Sequence, residues 1–143
     1  MKYDMIKIRT SGEIELIPVE SAITTFYDLR KHIDGYIEIV NTTSPEFVLV
    51  IDEEGKLKGL EFNPIASMLA RLGVGDWIAG DALLLIRSGC DLKAIPETRA
   101  RNLIRIRKES DEIDKEAERS FNEYEAEYGA DGRIAQKRGK GAW

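Results

Sequence analysis

The chain holds 143 residues, 43% hydrophobic and 33% charged, with 21 Lys+Arg against 26 Asp+Glu for a formal charge of -5. That usage is ordinary for one globular domain, and the acidic balance argues against generic binding to nucleic acid or to an anionic membrane. One cysteine, Cys90, and one histidine, His32, exclude a disulfide framework and any Cys/His zinc cluster made by this chain alone.

Met5-Ile6-Lys7-Ile8-Arg9 alternates apolar and polar, Ser11-Gly12 breaks the pattern, and residues 13–19 resume it. This is the signature of a hairpin with one buried face, with Pro18 suited to an edge strand where no ladder donor is missed. Ser21 reads as an N-cap for a helix over 22–33, with Ile23, Phe26, Leu29 and Ile33 on one face toward a core. Asp34-Gly35 ends that helix, and strands follow at 36–40 and 46–51. The second of these is continuously apolar, as a strand buried on both faces requires. After the acidic turn Asp52-Glu53-Glu54-Gly55, residues 57–62 extend a short strand. Asn63-Pro64 then caps a helix with Ile65, Met68, Leu69 and Leu72 along one face, ended by Gly73 and Gly75. The apolar run Ala82-Leu83-Leu84-Leu85-Ile86 is an interior strand.

From residue 97 to 128 there is neither proline nor glycine, which favours one long helix. Its charge is blocked: residues 97–108 carry +4, 109–128 carry -7, and the Gly- and Lys-rich stretch 129–143 carries +3, so the first 96 residues hold the whole net charge. The expected fold is therefore α+β, a small mixed sheet with two packed helices in residues 1–95. A long charged C-terminal helix follows at 96–128, and a basic tail at 129–143.

Little in the chain points to catalysis. His32 falls four residues after Asp28, within reach of a carboxylate, but no nucleophile motif surrounds Cys90, and both are expected to be structural, Cys90 as a small buried side chain. The consecutive acids Asp52, Glu53 and Glu54 lack the alternating positions of a calcium loop and are expected to be solvated. Neither Gly73-Val74-Gly75-Asp76 nor Gly55-Lys56-Leu57-Lys58-Gly59 has the spacing of a phosphate loop, although Lys56, Lys58, Asp76 and Asp81 make a candidate ligand loop. Gly80, between a loop and an apolar strand, is expected to tolerate no larger residue. No catalytic residue, cofactor or metal is expected. No apolar run reaches about eighteen residues and the first residues match no targeting signal, so a protein of the cytoplasm without a membrane partner is expected.

The acidic block is the most distinctive feature. Asp111 and Lys115 are spaced to pair along a solvated helix face. A row of carboxylates also resembles a nucleic-acid backbone and suits a basic groove on a partner. Glu109, Glu112, Glu116, Phe121, Glu123, Tyr124, Glu127 and Tyr128 are the candidate contact residues, and the exposed aromatics among them favour self-association into a homo-oligomer. Arg99, Arg101, Arg105 and Arg107, just upstream, are the alternative and would serve a nucleic-acid-binding regulator.

The succession of 35–40, 50–60, Asn63-Pro64-Ile65-Ala66 and 78–84 resembles, over about Met5 to Ile86, a small domain of unknown function that recurs in phages and conjugative elements. The resemblance implies a mobile-element setting and no catalytic residues. It favours a non-enzymatic accessory protein, in the cytoplasm of a host cell, that binds and inhibits a host defence protein of restriction or CRISPR type, itself a nucleic-acid-binding effector. The two alternatives are a protein sequestering a small nucleotide-like ligand and the nucleic-acid-binding regulator.

Overall fold

The elements follow from where apolar runs and turn residues fall. The computed structural model describes residues 2–127, and side chains through residue 120 except those of 113, 114 and 118. Strands β1 (Tyr3–Ile8) and β2 (Ile14–Val19) form the expected hairpin. Helix α1 (Phe26–Arg30) leads to β3 (Ile37–Asn41) and β4 (Phe47–Asp52), and α2 (Pro64–Leu69) leads to β5 (Ala82–Ser88). Short strands β6 (Asp91–Lys93) and β7 (Ile95–Pro96) precede α3 (Glu97–Glu127). The class is α+β, with a seven-stranded sheet in the order β2-β1-β5-β4-β3, β6 beside β5, β7 beside β1, and every pair antiparallel.

Alternation along the strands sends residues to both faces, and both are buried. Met5, Val48, Val50, Leu83 and Leu85 meet Leu29, Ile33 and Ala94 in one cluster. Ile6, Ile8, Leu49 and Ile51, one step out of phase, are also buried. Burying each such side chain stabilises the fold by about 2 kcal/mol.

Three local expectations are corrected. The helix expected over 22–33 is only α1, because Thr25 rather than Ser21 is the cap. Thr24 N–H donates to Leu92 O at 3.1 Å and Ile23 bridges Lys93, so the chain is extended beside β6 until Thr25. Ile23 and Phe26 are consequently exposed, and Leu29 and Ile33 alone face the core. Residues 57–59 form a turn and not a strand, with Lys58 N–H donating to Glu54 O at 2.9 Å and Leu60 N–H to Gly55 O at 3.0 Å, and of the expected strand only Phe62 pairs, in a single antiparallel bridge to Ala79. Helix α2 keeps its Asn63 cap and its proline at the first position but stops at Leu69, before Leu72. There the backbone is captured by the end of β3: Thr43 N–H donates to Leu69 O at 3.0 Å and Arg71 N–H to Asn41 O at 2.8 Å.

Contacts divide the chain into Met1–Asn102 and Leu103–Trp143. Within the first, α3 begins with Ala100 fully buried, Arg99 ion-paired to Glu46, and its guanidinium 4.9 Å from the Phe47 ring centre. Within the second, the helix continues without a break to Glu127, and Arg107 pairs with Asp111 at 3.4 Å. Asp111 thus turns to the preceding arginine rather than to Lys115.

Candidate functional site

Asp52 closes β4 and begins the site. It is 6% exposed, not solvated as its place in an acidic turn suggests, whereas Glu53 and Glu54 are exposed. Its Oδ1 accepts from the Glu54 N–H at 2.8 Å, a local turn that aspartate favours. Its Oδ2 accepts from Lys58 Nζ at 2.7 Å, and the same ammonium donates to Asp34 O at 2.6 Å, joining the segment after α1 to the loop after β4. Hydrogen bonding to Asp52 and its charge hold the Lys58 ammonium above its ordinary pKa. Gly35 gives the lysine its place: φ is +115°, and a Cβ there would stand 2.6 Å from Nζ.

The opposite wall is set by Asn63, which is fully buried. Its Nδ2 donates to Ile8 O and to Gly80 O, each at 2.9 Å, while Oδ1 accepts from Ala66 N–H at 3.0 Å. One side chain therefore caps α2 and ties β1 to the loop before β5. Gly80 has φ +90°, and a Cβ would lie 2.8 Å from Leu60 Cδ1, in keeping with the intolerance expected there. Asp81 follows, with Oδ1 accepting from Thr10 N–H at 3.0 Å and Oδ2 3.9 Å from Arg9 Nη1. Thr10 Oγ1 donates to Glu61 Oε2 at 3.3 Å.

Between these walls lies an open cleft of about 320 Å³, lined by Thr10, His32, Asp34, Asp52, Lys58, Glu61 and Asp81 together with Ile33, Leu60 and Gly80. Burial chiefly, and the charge of Lys7, push His32 below its ordinary pKa, so the imidazole is neutral at pH 7. Asp28 does not serve it. Its carboxylate is committed to the Thr25 cap, bonds that lower its own pKa. Four carboxylates facing one ammonium and a neutral imidazole make a cleft rich in acceptors and poor in sites for an anion. Its lining includes no serine or thiol. Among the described residues no three His, Cys, Asp or Glu side chains converge as a metal cage.

The candidate ligand loop thus divides. Lys58 and Asp81 share the cleft, whereas Lys56 and Asp76 pair with each other away from it, with Lys56 Nζ 5.0 Å from the Trp77 ring centre. That pairing and the Trp77 N–H lower the Asp76 pKa. Phe62 stands edge-on to Trp77 at 5.9 Å. Cys90 is exposed in the β5–β6 turn, not buried.

On α3, Glu109, Glu112 and Glu116 are exposed. Phe121, Glu123, Tyr124 and Glu127 belong to the helix backbone, their side chains lie outside the described residues, and so does Tyr128 entirely. Upstream, Arg101 pairs with Glu97 at 3.0 Å, so Arg99, Arg101 and Arg107 all have carboxylate partners, and Arg105 is exposed. No helix among the described residues is long and apolar enough to cross a membrane.

An antiparallel sheet bearing short capped helices and a polar, ion-paired cleft at the loop ends defines an α+β domain. The family model described as Domain of unknown function (DUF3846) matches residues 1–106, and the chain belongs to that family. No curated protein and no solved structure matches. The match takes in β6, β7 and the opening turns of α3 as well as the segment recognised by its motifs.

Sequence reasoning missed Asp52 as a buried ion pair and Asn63 as a tie between β1 and the loop before β5. The cap signal at Asn63-Pro64 was legible, but the amide's other two bonds join residues 55 and 17 positions away.

Proposed function

We propose that this chain is a non-enzymatic binding protein that presents the carboxylate face of α3 to a basic groove on a partner protein. The observation that supports this reading is the row Glu109, Glu112 and Glu116, spaced three and four apart on one uninterrupted helix and all exposed. Negative charges repeated along a rigid rod imitate a nucleic-acid backbone, and complementary charge speeds encounter and fixes register. The resemblance to domains of phages and conjugative elements supplies the setting: an accessory protein acting in a host cell's cytoplasm, with a nucleic-acid-binding defence effector of restriction or CRISPR type as its target. Fold alone does not carry that target; the charge pattern supports a basic partner.

Affinity capture from host lysate with the full chain supplies the partner for a binding titration. Reversing Glu112 and Glu116 to lysine is expected to weaken the complex at least tenfold and to leave the thermal melt unchanged, since such exposed changes move stability by about 0.5 kcal/mol or less. Rising salt weakens the parent complex in the same assay, because exposed charges are screened beyond about 8 Å at physiological ionic strength. A loss confined to Arg105→Glu overturns the reading in favour of nucleic-acid binding.

A second reading rests on the cleft, where Lys58 and Asp81 converge with Asp52 and His32. It is a binding place for a small polar ligand held through its own donors, since the facing carboxylates repel phosphate. Native mass spectrometry of the protein purified from its host tests it by the mass retained, and Lys58→Met and Asp81→Asn are expected to release that mass.

A further inference from the structure

Away from the cleft, Asp4 is 5% exposed within β1, and its Oδ2 has no hydrogen-bond partner among the described residues. A buried acceptor left unmade costs about 1–3 kcal/mol, more when charged. Such atoms are rare in folded proteins, and each calls for a partner, whether water, ion or ligand. Asp4 lies in a groove of about 660 Å³ on the hairpin side of the sheet, within the range of small-ligand sites. Leu16 and Pro18 of β2, on the same face as Asp4, supply apolar wall, and Lys2, Glu20, Glu97 and Arg101 supply the charges.

We infer that this groove binds an amino or guanidino group carried on an apolar stem, with the N–H donors directed to Asp4 and the stem along Leu16 and Pro18. The charges choose the sign of the ligand. Arg101 pairs with Glu97 at 3.0 Å, and the lining's other two charges, Lys2 and Glu20, are of opposite sign. Asp4 is left as the carboxylate without a paired cation, and an anion brought to it would meet that charge. A metal ion finds too few oxygens, since Asp4 belongs to no convergent set of three acidic or metal-ligating side chains among the described residues. An N–H donor supplies the missing bond directly, and a cationic one makes it charge-assisted and stronger. Titration agrees with the geometry: burial first, then the charge of Glu97, push Asp4 above its ordinary pKa against the pull of Arg101. A bound cation reverses that push, so binding is expected to tighten as pH rises and Asp4 ionises.

The test is an amide-resolved NMR titration of the full chain with butylammonium and butylguanidinium, with 1-butanol as the control for the stem alone. Saturable shifts at Tyr3, Val19 and Glu97 are expected with the two cations and not with the alcohol. Asp4→Asn is expected to weaken binding at least tenfold, and Asp4→Leu to abolish it, each with the remaining spectrum unchanged. Two further arms distinguish the source of the group: free diamines and agmatine against a glycine-flanked peptide carrying lysine or arginine. Tighter binding of the free amine assigns the groove to a small molecule, and tighter binding of the peptide assigns it to a basic side chain of a protein. Absence of saturable shifts with every cation overturns the inference, as do shifts that both Asp4 variants leave unaltered, and the groove is then filled by water only.

Discussion

Asp52 and Asp4 are buried to the same degree, 6% and 5% exposed, at different places in the same sheet. Around Asp52 the chain has gathered an ammonium at 2.7 Å and a backbone N–H at 2.8 Å. Around Asp4 one oxygen is left without a partner, and the neighbouring Glu97 adds a like charge. The difference shows that burial does not decide what a carboxylate does to a fold; its partners do. A satisfied carboxylate fastens loops, whereas an unsatisfied one opposes folding until something binds it.

The contrast is sharpest in stability. Asp52→Ala removes two hydrogen bonds to a charged acceptor and is expected to cost about 3 kcal/mol, read as a lower urea midpoint at unchanged m-value. A cost below about 1 kcal/mol would erase the distinction between the two sites. Asp4→Leu is expected to act in the opposite direction, raising stability by about 1 kcal/mol and Tm by roughly 4 °C, because replacing an unpaired buried charge with apolar volume removes a desolvation cost. Acid sharpens the comparison further. The folded state holds the Asp4 proton more tightly than the unfolded chain, whose ordinary value is 3.8, so the group's contribution is full below that value and lost as pH rises through the folded one. The stability gap between parent and Asp4→Asn is therefore expected to open from about pH 4 upward in parallel urea titrations. The smallest effect belongs to His32. Its folded pKa lies below the ordinary 6.5, so the unfolded chain binds the proton first and stability falls as pH drops through that value. His32→Gln is expected to flatten that part of the pH profile and leave the rest.

Strands β1 to β5 were legible because their signals are local and strong, whereas the three-residue β6 and the two-residue β7 carried none. The alternation before Ser11-Gly12, the continuous apolar β4 and the run at 82–86 each name a strand without outside help. Helix α1 misled for the opposite reason. Ile23 and Phe26 repeat at helical spacing, yet the bonds that Ile23 and Thr24 make to β6 come from residues about 70 positions later and outweigh an intrinsic preference worth tenths of a kcal/mol per residue. Half of the candidate ligand loop suffered likewise: Lys56 and Lys58 are two residues apart, but a chain that turns at every step sends one to Trp77 and the other to Asp52. Asp4 carried no signal at all. Next to Lys2 and Tyr3 it reads as a polar start to a strand, and only the antiparallel placement of β2 and β7 on either side of β1 buries it.

The two flanks of the sheet differ in how they meet other chains. Hydrogen bonding alternates along each antiparallel pair, and the bond from Arg9 N–H to Glu13 O sets its phase in the hairpin, so the Pro18 nitrogen faces outward from β2. That flank lacks a donor where an incoming strand would need one. At the far flank the bond from Glu53 N–H to Tyr36 O sets the phase, and Ile37, Ile39 and Asn41 direct their backbone groups away from β4. Arg71 already occupies Asn41, which leaves Ile37 and Ile39 as the unguarded stretch. Among the described residues, Ile37 and Ile39 are therefore the stretch of the β3 flank open to strand addition in concentrated solution, and a lysine at position 39, where the side chain is 43% exposed, is expected to hinder it.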